Sequence, residues 1–413
     1  MFDASAVAVP ITAEDVHTWR PSVPEYYSRA EVQRQTGTYV SALPAQLAGI
    51  TLTLATDLVA EIEEVTVRLR DFDNYSTYVL GKENLALGPM SAILLRTESS
   101  SSSQIENLTT SAKQLALAEL GQSSKVNAET VVGNVRAMEA AVRLSAEPSI
   151  ESILLMHEEL LRRQPRMEPH AGKIREELVW IGGRDSAGPR GATYIAPQPQ
   201  YVLPALHDLI DFIHRADIPV LAQIAIAHAQ FETIHPFVDG NGRTGRALAQ
   251  LLLRNKELTT HTTVPISAGI LTDTERYFDA LGSFRSGNAR PIIEVFTDAT
   301  RYSCVTGREL VDHLSVELDE AKSGLEGVRS QASAWRVIPL LAGQPAINAA
   351  YLKEKLGIND ASAQRTLETL TQRGILAEKT GKSRNRVWIH QGILNVLDEY
   401  AANLKRRANF NAK

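Results

Sequence analysis

Apolar residues recur at helical spacing through most of this chain. In IPVLAQIAIAHA, Ile218, Leu221, Ile224, Ala225 and His228 fall on one face at three-and-four spacing, which predicts a buried helix over 218–229. Pro236 ends that run, because proline biases its predecessor away from helix. RTGRALAQLLLRN predicts a second helix starting near Arg243. Residues 52–73 (LTLATDLVAEIEEVTVRLRDFD) carry the same period with acidic residues between, so the first hundred residues are expected to be mainly helical. The pattern switches once in the middle of the chain. VWI and ATYI, within residues 179–199, flank a loop rich in Gly, Pro, Ser and Asp and predict a β-hairpin. The expected class is therefore mainly α. Phe212, Ile213, Leu221, Ile224, Phe237, Leu251 and Leu252 are expected in the core.

Toward the C-terminus the helices shorten. SAWRVIPLLAG is one, and AINAAYLKEKLGI gives a second that Gly357 closes. ASAQRTLETLTQRG gives a third, capped by Asn359 or Asp360 and ending at Arg373-Gly374. ILAEKTGKSRNRVWI then reads as strand, turn and strand, with Lys379, Lys382, Arg384 and Arg386 around the turn.

Length changes the picture little: 413 residues allow two to three domains with ample core. Cysteine usage matters more. Cys304 is the one cysteine, which excludes an intrachain disulfide framework and any cysteine-based zinc cluster. The N-terminus has no basic, apolar leader pattern, and no stretch approaches a membrane span. A cytoplasmic enzyme with no membrane partner is the expectation. The formal charge of −5 hides an asymmetry. Residues 331–413 carry 13 Lys and Arg against 6 Asp and Glu, a net +7, while the remainder carries −12.

The chemistry concentrates in FETIHPFVDGNGRTGR, residues 231–246. His235, at a helix end, has an ordinary pKa near working pH and suits a general base. Gly240-Asn241-Gly242 relaxes the backbone so that N–H groups can converge on an anion. The N-terminus of the following helix would aim its free N–H groups and positive dipole end at the same point. Arg243 and Arg246, three apart, share a face and could grip two phosphates. Asp239 supplies one hard oxygen, and Mg²⁺ needs only one or two carboxylates beside nucleotide phosphates. His228 lacks metal-ligand spacing to His235 and is expected to pack inside its helix.

HPFVDGNGRTGR resembles the signature of the Fic family, His-x-Phe-x-(Asp/Glu)-Gly-Asn-Gly-Arg-x-x-Arg, with every defined position filled. The resemblance implies transfer of AMP from ATP to a Ser, Thr or Tyr hydroxyl of a protein. It makes His235 the base, Phe237 the loop anchor and Asp239 the Mg²⁺ ligand. Gly240, Asn241 and Gly242 become the cradle for the α- and β-phosphates, and Arg243 the grip on the phosphate chain. Arg246 becomes the γ-phosphate contact. Gly242, where a phosphorylating branch has Lys, favours AMP transfer. Upstream, residues 102–107 (SSQIEN) match the family's inhibitory pattern (Ser/Thr)-x-x-x-Glu-(Gly/Asn), built on Ser102 and Glu106, with Glu106 expected to pair with Arg246. The hairpin resembles the flap that pairs with a target's backbone, and Arg175 and Trp180 beside it are given no chemistry. Tyr277 and Asn288 are looser candidates to line a base pocket.

The resemblance implies a Fic-type helical bundle with one hairpin flap. The expected divisions are an N-terminal helical extension over 1–103 and a catalytic core over 104–316. A linker over 317–331, or the end of a long helix, then leads to a winged helix-turn-helix over 332–413. For the basic tail, DNA contact and protein interaction or homodimerisation both stay open. Two other readings stay open beside the adenylyltransferase: a DNA-binding regulator that uses the core as a nucleotide sensor, and an enzyme that both adds and removes AMP.

Overall fold

A computed structural model describes residues 6–80, 87–123, 125–182, 187–379 and 385–411. The chain forms two compact units that interleave along the sequence. The first comprises 1–62, 140–255 and 275–296; the second comprises 63–139, 256–274 and 297–413.

The first unit opens with a ribbon. Strands β1 (Ala13–Trp19) and β2 (Gly37–Leu43) pair antiparallel, with α1 (Arg29–Gln35) between them, capped by the Ser28 hydroxyl. The ribbon is an addition to the mainly helical N-terminus expected from the sequence. The helical period read over 52–73 belongs to α2 (Thr56–Leu80), whereas β1 alternates exposed and half-buried positions in the manner of a strand.

Helices α3 (Leu87–Ile105), α4 (Ala112–Glu119) and α5 (Val126–Arg143) follow. Then α6 (Ile150–Leu161) starts from a reciprocal Ser149–Ser152 cap, ahead of the hairpin of β3 (Trp180–Ile181) and β4 (Tyr194–Ile195). Residues 183–186 of the hairpin loop lie outside the described residues. Helices α7 (Pro199–Ile213), α8 (Val220–Ile234) and α9 (Asn241–Asn255) form a layer against α6. All seven residues expected in the core are buried there. α8 is buried from Leu221 to Ile234, with no polar face, so its amphipathic period is weaker than its composition suggested.

In the second unit α10 (Ile266–Ile270) packs on α3, where Gly269 allows the backbone of Ala299 to come close. α11 (Thr274–Arg285), which returns the chain to the first unit, leads to α12 (Arg290–Ser323), which runs through the first half of the expected linker. The tail contains α13 (Ser333–Gly343), β5 (Ala346–Ile347), α14 (Ala349–Leu356) and α15 (Asp360–Gln372). Asn348 and Asn359 cap α14 and α15, and Gly357 closes α14 at φ +65. β6 (Ala377–Glu378) and β7 (Trp388–Ile389) complete an antiparallel sheet in the order β5-β7-β6. α16 (Gln391–Asn411) follows and was not anticipated. Lys382 and Arg384, expected in the turn between β6 and β7, lie outside the described residues.

The five-serine run Ser99–Ser103 lies within α3, where Ser99 and Ser103 share one face. Ser99 and Ser103 bond the carbonyls of Leu95 and Ser99, and the Asn134 amide of α5 donates to Ser99 O and Ser103 Oγ. Small hydroxyl side chains let Asn134 of α5 reach α3 while the Ser99 and Ser103 hydroxyls bond carbonyls of their own helix.

Candidate functional site

The site is the turn between α8 and α9. Pro236 ends α8, and His235 takes the left-handed C-cap conformation at φ 50, ψ 61, its N–H bonded to Phe231 O. That backbone is uncommon for a residue with a side chain, and it swings the imidazole out of the helix path. The ring lies edge-on to Tyr194 at 6.4 Å, and its Nδ1 is 4.0 Å from the Glu232 carboxylate one turn back.

Two reciprocal hydrogen bonds close the turn. The Phe237 N–H donates to Asn241 Oδ1 and the Asn241 amide donates to Phe237 O, both at 2.9 Å. The side chain of Asn241 therefore shapes the loop, and only its backbone remains to face an anion. Phe237 is fully buried and stacks on the His157 ring at 3.6 Å and 4°. His157 accepts from the Gly172 N–H at Nδ1, which places its proton on Nε2, 3.0 Å from the Asp239 carbonyl that accepts it. Burial pushes the His157 pKa down to about 4, so the ring is neutral and serves as a strut.

Gly240 sits at φ +79, where an added Cβ would meet Leu160 Cδ2 at 2.8 Å. Both conformation and space require glycine there. α9 begins at Asn241, two residues earlier than expected, so Asn241, Gly242 and Arg243 form its first turn. The N–H groups of a first turn have no partner within their own helix and carry its positive end. The Arg243 side chain is 3% exposed and lies 3.3 Å from Asp239 Oδ2, while Asp239 is 49% exposed. Arg246 is buried one turn further along the same helix. Burying two guanidiniums in one helix costs desolvation that strong anionic partners must offset.

Sequence reading missed the supports. Arg175 is buried and donates to three carbonyls: His235 at 2.8 Å, Glu177 at 2.8 Å and Pro197 at 2.7 Å. It ties the His235 turn to the base of the hairpin, and burial lowers its pKa to about 10. The Tyr194 hydroxyl donates to Thr233 O, under an Arg285 guanidinium 3.9 Å from its ring. Gly245 lets α9 approach α8, since a Cβ there would lie 2.9 Å from Glu232 Oε1 and 3.0 Å from Phe231. No spacing rule announces any of these. The ribbon beside the hairpin adds another tie: Trp19 Nε1 donates to Ala187 O at 2.8 Å, and Gln35 and Arg190 exchange hydrogen bonds.

His228, Tyr277 and Asn288 are each held by neighbouring groups. His228 is buried, with Nε2 2.9 Å from the Tyr277 hydroxyl, as its helix position suggested. Tyr277 is itself buried against it, and the Asn288 side chain accepts from Val7 N and Arg290 N. Ser102 is buried in α3. Glu106 follows the last residue of that helix, half-buried, and Asn107 takes the left-handed conformation at φ 62. That conformation explains why the motif asks for Gly or Asn after the glutamate. Among the described residues no group of three or more His, Cys, Asp and Glu is placed to hold a metal ion.

An imidazole, a helix N-terminus, two buried guanidiniums and one half-exposed carboxylate are gathered by one turn between two helices, an arrangement able to seat an anion beside a proton acceptor. Residues 147–253 match the model of the Fic/DOC family, so this part of the chain is a Fic/DOC domain. The protein adenylyltransferase fic-1 of Caenorhabditis briggsae is 32% identical over 150 residues, 36% of this chain and 26% of that protein. The protein adenylyltransferase Fic of Drosophila virilis is 28% identical over 156 residues, 37% of this chain and 29% of that one. The matched region thus spans little more than a quarter of these relatives. A Fic family protein from Desulfovibrio desulfuricans G20 overlays with a TM-score of 0.49 at 24% identity, over 82% of this chain and 97% of that one.

Proposed function

We propose that the chain is a protein adenylyltransferase, transferring AMP from ATP to a protein hydroxyl. The observation that carries this reading is the juxtaposition of His235, at the left-handed end of α8, with the first turn of α9 and its buried arginines. His235 takes the proton of the target hydroxyl. The hydroxyl oxygen bonds to the α-phosphorus, the bond from that phosphorus to the bridging oxygen breaks, and pyrophosphate leaves with the electron pair. Gly240 and the backbone of Asn241 and Gly242 hold the α- and β-phosphates, with Arg243 along the chain and Arg246 at the γ-phosphate. The half-exposed Asp239 carboxylate fits Mg²⁺ carried in by the triphosphate, which would neutralise charge developing on the leaving group.

Glu106 is the proposed brake, competing with the γ-phosphate for Arg246, and Ser102 holds the helix that presents it. The C-terminal helices and sheet follow the order of a winged helix-turn-helix. Among its described cations Lys353 pairs with Asp360, Lys355 with Glu354 and Arg386 with Glu378, and Arg336 and Arg365 are exposed to a nucleic-acid or protein partner. The test is incubation of the purified protein with labelled ATP and Mg²⁺. Self-labelling should rise with Glu106→Gly and vanish with His235→Ala. Equal labelling of wild type and His235→Ala would overturn the assignment.

A further inference from the structure

Glu232 sits where helix electrostatics argue against it. It lies in the last turn of α8, beside the negative end of the helix dipole, and is 7% exposed. A carboxylate buried there is penalised twice, by lost hydration and by the dipole, and a nearby positive charge or donor offsets both. His235 follows three residues later, so the two share one side of the helix end. Glu232 Oε2 is 4.0 Å from His235 Nδ1, and the His235 side chain is 14% exposed. Closing that gap to a hydrogen bond takes about 1 Å of side-chain movement, a tightening expected when substrate enters a site. The other carboxylate oxygen lies toward α9 at Gly245, where an added Cβ would come within 2.9 Å of it.

The groups around the pair differ in charge. His228, one turn back on α8, is neutral because burial pushes its pKa down to about 3, with the Arg246 charge on α9 adding to the shift. Tyr194 on β4 is neutral as well, since burial pushes it up to about 12. Arg175 is committed to three carbonyls, Arg243 lies beside Asp239, and Arg285 of α11 stacks on the Tyr194 ring.

We propose that Glu232 is the positioning residue for His235, holding the imidazole with its own proton on Nδ1 and the lone pair of Nε2 toward the target hydroxyl. The inference rests on the adenylyl transfer proposed above. An ionised carboxylate accepts only from the Nδ1–H tautomer, so it fixes tautomer and ring direction together. As the hydroxyl oxygen bonds the α-phosphorus and pyrophosphate leaves, the hydroxyl proton moves to Nε2 and the ring becomes an imidazolium. The Glu232 carboxylate keeps its charge and balances that cation in a buried setting. The proton passes to solvent afterwards. The same carboxylate favours the charged ring and so raises the His235 pKa, and its removal lowers it.

Glu232→Gln removes the charge and keeps the shape. It is tested in the Glu106→Gly protein with labelled ATP and Mg²⁺, from below to above the ordinary histidine pKa. The plateau rate should fall about tenfold or more, with the KM for ATP little changed. The acid limb of the profile should move down by about one pH unit. Glu232→Asp keeps the charge and should hold the acid limb in place. Asp239 and the ATP phosphates titrate alike in all three proteins, so the shift belongs to the pair. An unchanged rate, or a fall with the acid limb unmoved, overturns the proposal. A readout without turnover separates this from failure of the adenylyltransferase reading. In proton–nitrogen correlation spectra of histidine-labelled protein, His235 is assigned by the signal lost in His235→Asn. The neutral ring should carry its proton on Nδ1, and its pKa should drop in Glu232→Gln. A proton on Nε2, or the same pKa in both proteins, overturns the pairing even where labelling succeeds. The expected spectra without any labelling would overturn the transfer reaction and leave the pairing standing.

Discussion

Replacing His157 by Phe separates its packing role from its protonation. The stack on Phe237 at 3.6 Å survives, but the Gly172 N–H and the Asp239 carbonyl lose their partner. Two half-buried groups deprived of their partner cost about 1–3 kcal/mol together near pH 7.5. The wild-type ring is neutral when folded, with its pKa lowered from 6.5 to about 4 by burial. The unfolded chain takes up a proton below pH 6.5 that the folded chain refuses. The contribution is therefore complete above pH 6.5 and is lost as pH falls toward 4, about 2–3 kcal/mol of it by pH 4.5. His157→Phe cannot lose it, so the gap between the two proteins should nearly close at pH 4.5. His228, pushed down to about 3 by burial, remains in both and contributes the same slope. Urea unfolding at pH 4.5, 5.5 and 7.5 measures the gap, and hydrogen exchange over 236–244 shows whether the loss is local. Parallel curves across that range would refute the account of His157 as a neutral strut.

Further substitutions test the supports one at a time. Gly240→Ala forces a side chain onto φ +79 and against Leu160, and should cost about 1–3 kcal/mol by thermal unfolding while cutting self-labelling. Arg175→Met leaves the carbonyls of His235, Glu177 and Pro197 unpaired; a stability loss of about 3 kcal/mol or more is expected, and unchanged labelling would show that the turn does not depend on it. Gly245→Val should separate α8 from α9 at Glu232 and Phe231 and lower the melting temperature more than Gly282→Ala, where an added Cβ meets open space. Burial raises the Asp73 carboxyl, but hydrogen bonds from Thr260, His261 and Thr262 outweigh it, so the net pKa is lowered and stability is lost as pH falls below the ordinary carboxylate range. Asp73→Asn should flatten that acid limb in a pH series of melting temperatures.

The signature was legible because its chemistry is local. His235, Asp239, Gly240 and Arg243 are brought together by one turn, and the sequence order of that turn is its spatial order. Proline, paired glycines and an Ala/Leu-rich run are strong punctuation, so the helix ends were misjudged only by a few residues. The supports were illegible for the opposite reason. His157 is 80 positions from Phe237 in sequence and sits in a helix whose period says only that it is buried. Arg175 looks like any loop arginine until three carbonyls converge on it. The N-terminal ribbon was hidden because the strongest helical period of that region, in α2, was extended backward over β1 and β2, whose seven-residue strands carry few large apolar residues.

The tail argues that boundaries drawn from composition can cut through a core. Its +7 charge and its helix-turn-helix order suggested a module hung from a linker. Yet Ala346, Val387, Ile389 and Leu394 share one buried cluster with Ala116 of α4, with Ala112, Leu117 and Leu120 packed against it. Gln344 also bonds the Ala116 carbonyl, and Asp398 accepts from Ala112 N. The helix that follows the proposed inhibitory segment is therefore part of the hydrophobic core of the tail. Removing residues 332–413 would expose that core face of α4 and destabilise the segment carrying Glu106. A truncated chain should thus label itself more strongly than wild type, to a level that Glu106→Gly does not raise further. Additive effects of truncation and Glu106→Gly would mean the tail restrains the enzyme by some other route than through α3 and α4.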